Sequence, residues 1–178
     1  MKKVRKGRSK LILVLGGAAS GKSQAALDLA GKVEPRAFVA TGQALDREMT
    51  ARIEQHRATR SSDWVTAEVP ADLAVWFTAN GPSYQTIVLD CLTLWLSNLR
   101  GRRLRNLAVS DATADLLHAI RATRARVVIV SNELGLGLVP ATKVVRGFRD
   151  LAGRVNQQVA AEADEVYLTI SGLPLRLK

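Results

Sequence analysis

The sequence feature that most constrains the fold is a glycine-rich octapeptide that directly follows a short apolar segment. Residues 11–15 read LILVL, and the next eight residues fit the pattern G-x-x-x-x-G-K-[ST]. Glycines let the backbone fold tightly around a triphosphate, and the helix that follows adds the positive end of its dipole. The pattern predicts a strand, a phosphate-binding loop and a helix, in that order. The loop comprises Gly16, Gly17, Ala18, Ala19, Ser20, Gly21, Lys22 and Ser23.

Three residues are candidates for direct contact with a nucleotide and its metal ion. Lys22 is predicted to reach the β- and γ-phosphates of the triphosphate. Ser23 is predicted to place its hydroxyl on Mg²⁺. Asp90 ends a second apolar run, residues 87–90, and is the natural carboxylate partner for the same ion.

Length and charge favour a single domain preceded by a basic arm. The chain has 178 residues, which suits one domain, and its formal net charge is +10. Six basic residues and no acidic residue lie in the arm, residues 1–10, so residues 11–178 form a less basic catalytic domain. A short basic tail without interleaved aromatic residues is weak evidence for nucleic-acid binding, and no apolar run is long enough for a membrane span. Cys91 is the only cysteine, which excludes an intrachain disulfide, and we expect a cytoplasmic protein.

Apolar runs alternate with helical patterns along the whole chain. This alternation predicts an α/β fold with a mainly parallel central sheet covered by helices on both faces, a three-layer P-loop fold of the RecA-like kind. Ligands bind beyond the carboxyl ends of such strands, which would bring the phosphate loop, Thr41, Asp90 and residues 132–133 to one crevice. We expect a loop over residues 101–109. The predicted strands are 11–15, 37–41, 86–90, 127–131 and 166–170, and the predicted helices are 20–32, 45–60, 71–79, 92–99, 111–124 and 143–163.

The predicted helix over residues 45–60 contains a candidate nucleophile. Leu45, Met49, Ile53 and His56 recur at intervals of four, four and three residues, so His56 is expected on the apolar face. One interpretation is a hydrogen-bonded histidine in the core or at an interface. The other is a neutral imidazole that attacks phosphorus in the bound triphosphate, with Arg57 and Arg60 facing the developing charge. The spacing alone leaves both interpretations open.

Further motifs occur in a fixed order along the chain. From residue 11 to residue 178 the sequence resembles the bifunctional adenosylcobinamide kinase and adenosylcobinamide-phosphate guanylyltransferase family of cobalamin biosynthesis. Besides the phosphate loop, the motifs are FVAT (38–41), DREM (46–49), RIEQHR (52–57), WVTAE (64–68), LDCLTLWL (89–96), SNELG (131–135), VP (139–140) and FRDLAGRVNQ (148–157).

The resemblance implies two reactions on one site. A nucleoside triphosphate, ATP or GTP, phosphorylates adenosylcobinamide; GTP then guanylylates a histidine with loss of pyrophosphate, and the GMP passes to adenosylcobinamide phosphate. His56 matches the guanylylated histidine, and the family's homotrimeric state is implied as well. The family usually has arginine where this chain has Ala19, so a charge over the phosphates is missing here. Besides the phosphate loop, the matched nucleotide contacts are Ala40, Thr41, Gly42, Arg57, Ala58, Thr59, Arg60, Glu68 and Asp90.

Two other functions compete with this interpretation. A simple P-loop kinase of a small metabolite would use Lys22 and Asp90 in the same way and leave His56 structural. A nucleotide-dependent nucleic-acid-binding module would use the basic arm. The second function predicts binding that falls steeply with salt and is lost when residues 1–10 are removed. A covalent GMP adduct would exclude both alternatives.

Overall fold

The computed structural model describes residues 9–58, 61–101 and 106–178, and for Arg52, His56, Asn106 and Leu107 it describes the backbone alone. The strands within these ranges are β1 (Lys10–Gly16), β2 (Arg36–Ala40), β3 (Trp64–Glu68), β4 (Thr86–Asp90), β5 (Arg126–Asn132), β6 (Glu165–Ile170) and β7 (Leu173–Arg176). The α-helices are α1 (Lys22–Ala30), α2 (Arg47–Ala58), α3 (Leu73–Asn80), α4 (Leu92–Gly101), α5 (Asn106–Ala122) and α6 (Lys143–Glu162), and Gly81–Ser83 form one turn of 3₁₀ helix.

The seven strands form a single sheet in the order β3-β2-β4-β5-β1-β6-β7. Neighbouring strands are parallel except for the hairpin of β6 and β7. Strand β1 lies between β5 and β6, and β5 separates it from β4. The sheet confirms the predicted α/β fold with a mainly parallel centre.

Each face of the sheet is covered by its own set of helices. On one face, Leu11 and Leu13 of β1 belong to a buried cluster with residues of α3, α4, α5 and α6. On the other face, Ile12 and Val14 pack in a second cluster with α1. Strand side chains alternate between faces, so the buried centre of the sheet reads as a continuous apolar run. This is the expected three-layer arrangement.

Several boundaries differ from the sequence predictions. The edge strands β3 and β7 were not predicted, because their side chains are partly or fully exposed and lack a long apolar run. Helix α5 begins at Asn106, inside the segment 101–109 that was expected to be a loop. Helix α2 begins at Arg47 because the carboxylate of Asp46 accepts a hydrogen bond from the Met49 amide at 2.8 Å, which is an N-cap contact. Leu45 therefore precedes the helix and is 80% exposed.

No helix among the described residues is long and apolar enough to cross a lipid bilayer. Residues 1–8, most of the basic arm, lie outside the described ranges.

Candidate nucleotide-binding site

The phosphate loop joins the carboxyl end of β1 to the first turn of α1. Gly21 adopts φ +87°, a left-handed conformation that favours glycine, and its carbonyl accepts the first helical hydrogen bond from Ala25 at 3.0 Å. Ala19 also has a positive φ, 52°. The ammonium group of Lys22 donates to the carbonyl of Gly17 at 2.8 Å, so the lysine lies along the loop that it is predicted to serve.

The turn between β6 and β7 supports the phosphate loop from outside. The amide of Gly172 donates to the carbonyl of Ser20 at 2.8 Å. A Cβ atom on Gly21 would lie 2.9 Å from the Cα of Gly172, and one on Gly16 would lie 2.8 Å from the carbonyl oxygen of Thr169. Both glycines are therefore required by close backbone approach to the β6–β7 hairpin.

Ser23 and Asp90 come together at the base of the site. The hydroxyl of Ser23 donates to the carboxylate of Asp90 at 3.2 Å, although 67 residues separate them in the sequence. Asp90 ends β4, and β5 lies between β4 and β1 in the sheet. The first turn of α1 extends from the β1 side across the end of β5 and brings Ser23 to Asp90. A hydroxyl and a carboxylate are hard oxygen donors of the kind that bind Mg²⁺ together with water and phosphate oxygens. The pair fits such an ion.

A cavity of about 170 Å³ opens between these residues and helix α2. Its polar end contains Lys22, Ser23 and Asp90, and its apolar wall includes Phe38 and Leu94, two residues that the sequence did not single out. Phe38 belongs to β2 and Leu94 to α4, and the two residues come together only through the order of the strands in the sheet. The remaining lining residues are Ala40, Gly42, Met49, Ile53, Cys91 and Asn132.

Thr41, a predicted nucleotide contact, is buried and hydrogen-bonded within the protein. It is 0% exposed, and its hydroxyl donates to the Cys91 carbonyl at 2.7 Å and accepts from the Cys91 amide at 2.9 Å. Its own amide donates to the carbonyl of Asp90 at 3.0 Å, and its carbonyl accepts from the side chain of Asn98 at 2.8 Å. The hydrogen bonds of Thr41 thus hold the cavity wall in place. The adjacent residues Ala40 and Gly42, which were also predicted as nucleotide contacts, line the cavity directly.

Cys91 lines the same cavity but is not a nucleophile at neutral pH. Burial, and secondarily the negative charge of Asp90, raise the pKa of its thiol to about 11. A thiol with so high a pKa stays protonated, and the thiolate is the reactive form.

Helix α2 forms one part of the cavity wall. Met49 and Ile53 contribute to the cavity wall, and His56 follows Ile53 by three residues on the same helix. The side chain of His56 lies outside the described part of the structure, as do Thr59 and Arg60. Arg57 forms an exposed ion pair with Glu68 at 3.4 Å.

Glu68 and its neighbours form a row across the carboxyl edge of the sheet. Glu68 of β3 is in register with Ala40 of β2, and Ala40 is in register with Asp90 of β4. Three predicted contacts therefore lie side by side, whereas the predicted contact Ala58 is exposed near the end of α2.

Comparison with known proteins identifies the family of this chain. The model of the cobinamide kinase / cobinamide phosphate guanyltransferase family matches residues 12–177. This chain belongs to that family. The bifunctional adenosylcobalamin biosynthesis protein CobU of Salmonella typhimurium is 40% identical over 180 residues, covering 94% of this chain and 99% of that protein. CobP of Pseudomonas aeruginosa is 40% identical over 171 residues, covering 93% of this chain and 96% of its own length.

Two solved structures have a fold similar to that of this chain. The P4 protein of bacteriophage phi6, determined in complex with ADP, aligns with a TM-score of 0.50 and 18% identity over 93% of this chain and 52% of its own. A KaiC-like protein of Pyrococcus horikoshii aligns with a TM-score of 0.52 and 12% identity over 90% of this chain and 71% of its own. At these identities the likeness concerns the fold alone.

Proposed function

We propose that this chain phosphorylates adenosylcobinamide and then transfers GMP from GTP, through a guanylylated histidine, to adenosylcobinamide phosphate. The observation that carries the proposal is the convergence of Lys22, Ser23 and Asp90 at one end of a cavity that helix α2 borders, in a member of this family. The convergence suits a triphosphate site, and the predicted nucleophile belongs to α2, the helix that lines the same cavity through Met49 and Ile53.

In the kinase step, the substrate hydroxyl attacks the γ-phosphorus of a nucleoside triphosphate. The new P–O bond forms as the bond to the nucleoside diphosphate breaks, and the hydroxyl proton is released. The loop amides and Lys22 neutralise charge on the β- and γ-phosphate oxygens.

In the guanylyl step, a neutral imidazole nitrogen of His56 attacks the α-phosphorus of GTP. A P–N bond forms and pyrophosphate leaves, after which a phosphate oxygen of the corrinoid attacks the same phosphorus and releases the histidine. The products are adenosylcobinamide-GDP and free enzyme. Lys22 holds the leaving pyrophosphate in the loop, so one set of phosphate contacts serves both reactions.

We assign Mg²⁺ to the Ser23 and Asp90 oxygens, 3.2 Å apart. An ion held by these two residues would neutralise negative charge on the bound triphosphate. Ser23 orients its hydroxyl through Asp90, and both residues are held by regular elements, the first turn of α1 and the end of β4.

Intact-mass analysis after incubation with GTP and Mg²⁺ tests the covalent step. The wild-type protein should gain one GMP, and His56→Ala should gain none while still phosphorylating adenosylcobinamide. Replacement of the other histidine, His118→Ala, is the matched control and should leave the adduct intact. A GMP adduct that persists in His56→Ala would contradict the mechanism and favour a simple metabolite kinase.

The missing arginine in the phosphate loop provides a second test. Ala19 is exposed, so Ala19→Arg places a guanidinium beside the bound phosphates without repacking the core. We expect the kinase rate to rise about tenfold, since an additional charged donor acts on the transferring phosphoryl group. The guanylylation rate should change less, because attack occurs at the α-phosphorus.

We also propose a homotrimer located in the cytoplasm, where nucleoside triphosphates are available. The single chain exposes apolar side chains after β5 and on β7, which suits burial against other subunits. Sedimentation measurements would test the trimer. The exposed residues are Leu136, Leu138, Val139, Leu173, Leu175 and Leu177.

A further inference from the structure

The strand between the phosphate loop and Asp90 ends in an asparagine with no assigned role. Asn132 is the last residue of β5 and is in register with Gly16, where the loop begins. It lines the cavity beside Lys22 and Ser23. Its side-chain amide has no hydrogen-bond partner among the residues that the structure describes. An amide placed in this way is available to a ligand.

Alternation along β5 separates Asn132 from its neighbour. Val128 and Val130 pack in the cluster on the α1 face of the sheet. Asn132 continues this series at the cavity end, whereas Ser131 is fully buried toward the opposite face. One residue is thus presented to the ligand site and the next to the protein interior.

Ser131 belongs to a closed ring of hydrogen bonds behind Asn132. The Asn132 amide donates to the Thr93 hydroxyl at 2.9 Å, and the Thr93 and Ser131 hydroxyls are 3.2 Å apart. The Ser131 hydroxyl donates to the side-chain oxygen of Asn156 at 2.7 Å. The side-chain nitrogen of Asn156 donates to the Asn132 carbonyl at 3.1 Å, which closes the ring.

The direction of every bond in the ring is determined. The Ser131 hydroxyl has one proton and donates it to Asn156, so the Thr93 hydroxyl must donate to Ser131. The Asn156 amide cannot be flipped, because its oxygen would then face the Asn132 carbonyl. All bonds run head to tail, an arrangement in which each strengthens the next. Both main-chain polar groups of Asn132 are held by side chains from α4 and α6.

Burial of these polar groups costs desolvation free energy, which their hydrogen bonds offset. Thr93 is 6% exposed and Asn156 is 4% exposed, and both lie behind the apolar central strands. Buried polar groups that are fully satisfied fix a unique local geometry, and catalytic groups are oriented by supporting residues of this kind. Here the one residue that the ring fixes and that also faces the cavity is Asn132.

We propose that the Nδ2 group of Asn132 donates a hydrogen bond to an oxygen of the terminal phosphate of the bound triphosphate, and that Thr93, Ser131 and Asn156 are positioning residues for it. This inference rests on the nucleotide site of the proposed function. Asn132 ends β5, which lies between β1, where the phosphate loop begins, and β4, which ends at Asp90. A terminal phosphate held by the loop and by an ion on Ser23 and Asp90 would therefore lie beside it. It forms no covalent bond and exchanges no proton; it stabilises charge on the group that is transferred or leaves.

Binding of two nucleotides that differ by one phosphate tests the contact. Affinities of Mg²⁺-ADP and of Mg²⁺ with the non-hydrolysable ATP analogue adenylyl imidodiphosphate are measured by calorimetry for the wild type and Asn132→Ala. The analogue should bind about 10- to 100-fold more weakly to Asn132→Ala, as for loss of a hydrogen bond to a charged group. ADP should bind within about twofold of wild type. Asn80→Ala, at the exposed end of α3, is the matched control and should change neither affinity.

Equal weakening of both nucleotides, or of neither, would overturn the assignment of Asn132 to the terminal phosphate. If the wild-type protein bound neither nucleotide, the proposed function would be overturned along with it. If the wild type binds both nucleotides and Asn132→Ala selectively weakens the analogue, yet the wild type makes no GMP adduct, only the guanylyl step would be contradicted.

The ring is tested through the same ratio of affinities. Thr93→Val keeps the shape of the side chain but removes the hydroxyl that links Asn132 and Ser131. It should lower the ratio of analogue to ADP affinity at least severalfold, and Thr93→Ser should restore it. A structural role alone would lower the melting temperature and leave the ratio unchanged, and that result would overturn the positioning role.

Discussion

The phosphate loop and helix α2 border the same cavity but are held in very different ways. The loop extends from β1, which pairs with β5 on one side and β6 on the other, and Gly172 supports it from outside. Helix α2 is largely exposed and reaches the cavity through Met49 and Ile53. Segments with few buried contacts have low local stability, so the phosphate half of the site is preorganised and the half that carries His56 is easily displaced.

This difference matches the demands of the two proposed reactions. Transfer of a γ-phosphoryl group depends mainly on fixed charges and donors around the phosphates. Guanylyl transfer also needs a histidine that approaches phosphorus and then admits a second substrate to the same atom. Changes in the loop should therefore affect both reactions, and changes in α2 should affect guanylylation selectively.

The largest expected effect is that of Lys22→Ala. It removes the charge nearest the β- and γ-phosphates and should slow both reactions about a thousandfold, since loss of one preorganised donor has effects of this order. The kinase rate and the rate of GMP adduct formation are measured side by side. The fold should persist, because the bond of Lys22 to Gly17 is exposed. Loss of only one reaction would break the view that both share the loop.

Asp90→Asn should have the next largest effect. The substitution keeps the size of the side chain but removes the charge that faces Mg²⁺, and turnover should fall on the order of a hundredfold with a higher Mg²⁺ requirement. Magnesium titrations of both reactions give the measurement. If Asp90 served only to begin α4, the melting temperature would drop and the kinetics would stay unchanged.

The pH dependence of stability that the Cys91 thiol causes tests whether water is excluded from the side of the cavity next to the phosphate loop. Burial raises the pKa of its thiol from 9.0 to about 11, so the folded state holds the proton more tightly than the unfolded state. The resulting stability is fully present below pH 9 and is lost as pH rises through 11, a change of about 2 to 3 kcal/mol. Urea unfolding of the wild type and Cys91→Ala across this range should show a shallower decline for the variant. Parallel curves would indicate that water reaches the thiol.

The smallest expected effect concerns the attachment of α2. Arg57 and Glu68 are both mostly exposed, and exposed ion pairs stabilise proteins by less than about 1 kcal/mol. A double-mutant cycle of Arg57→Ala and Glu68→Ala, measured by urea unfolding, should give a coupling energy within this limit that falls with added salt. A coupling of several kcal/mol would show α2 to be firmly anchored and would remove the contrast with the loop.

The centre of the fold could be predicted from the sequence, and its edges could not. Strands β1, β4 and β5 are buried on both faces and therefore appear as unbroken apolar runs. The edge strands β3 and β7 have mixed or exposed side chains, and β7 owes its place to pairing with β6. Local patterns do not specify such pairings.

The same limit applies to the site. The proximity of Ser23 and Asp90 follows from a recognisable loop and from the rule that strand ends converge, and the structure brings the two together. The ring around Asn132 depends on how α4 and α6 pack behind β5, which no spacing in the sequence encodes. The hydrogen bonds of Thr41 could not be predicted for the same reason, since its partner Cys91 lies 50 residues away.

The central position of β1 has a consequence for biosynthesis. Its amide at Leu11 donates to the Asp164 carboxylate, 153 residues further along the chain, and both strands that pair with β1 follow most of the other elements. A ribosome therefore releases the apolar LILVL segment long before the two strands that pair with it have been made. Long-range pairing of this kind slows folding and leaves nascent chains prone to aggregation. Chaperone capture of the emerging chain should thus matter more for the yield of this protein than for one whose first strand pairs with its second.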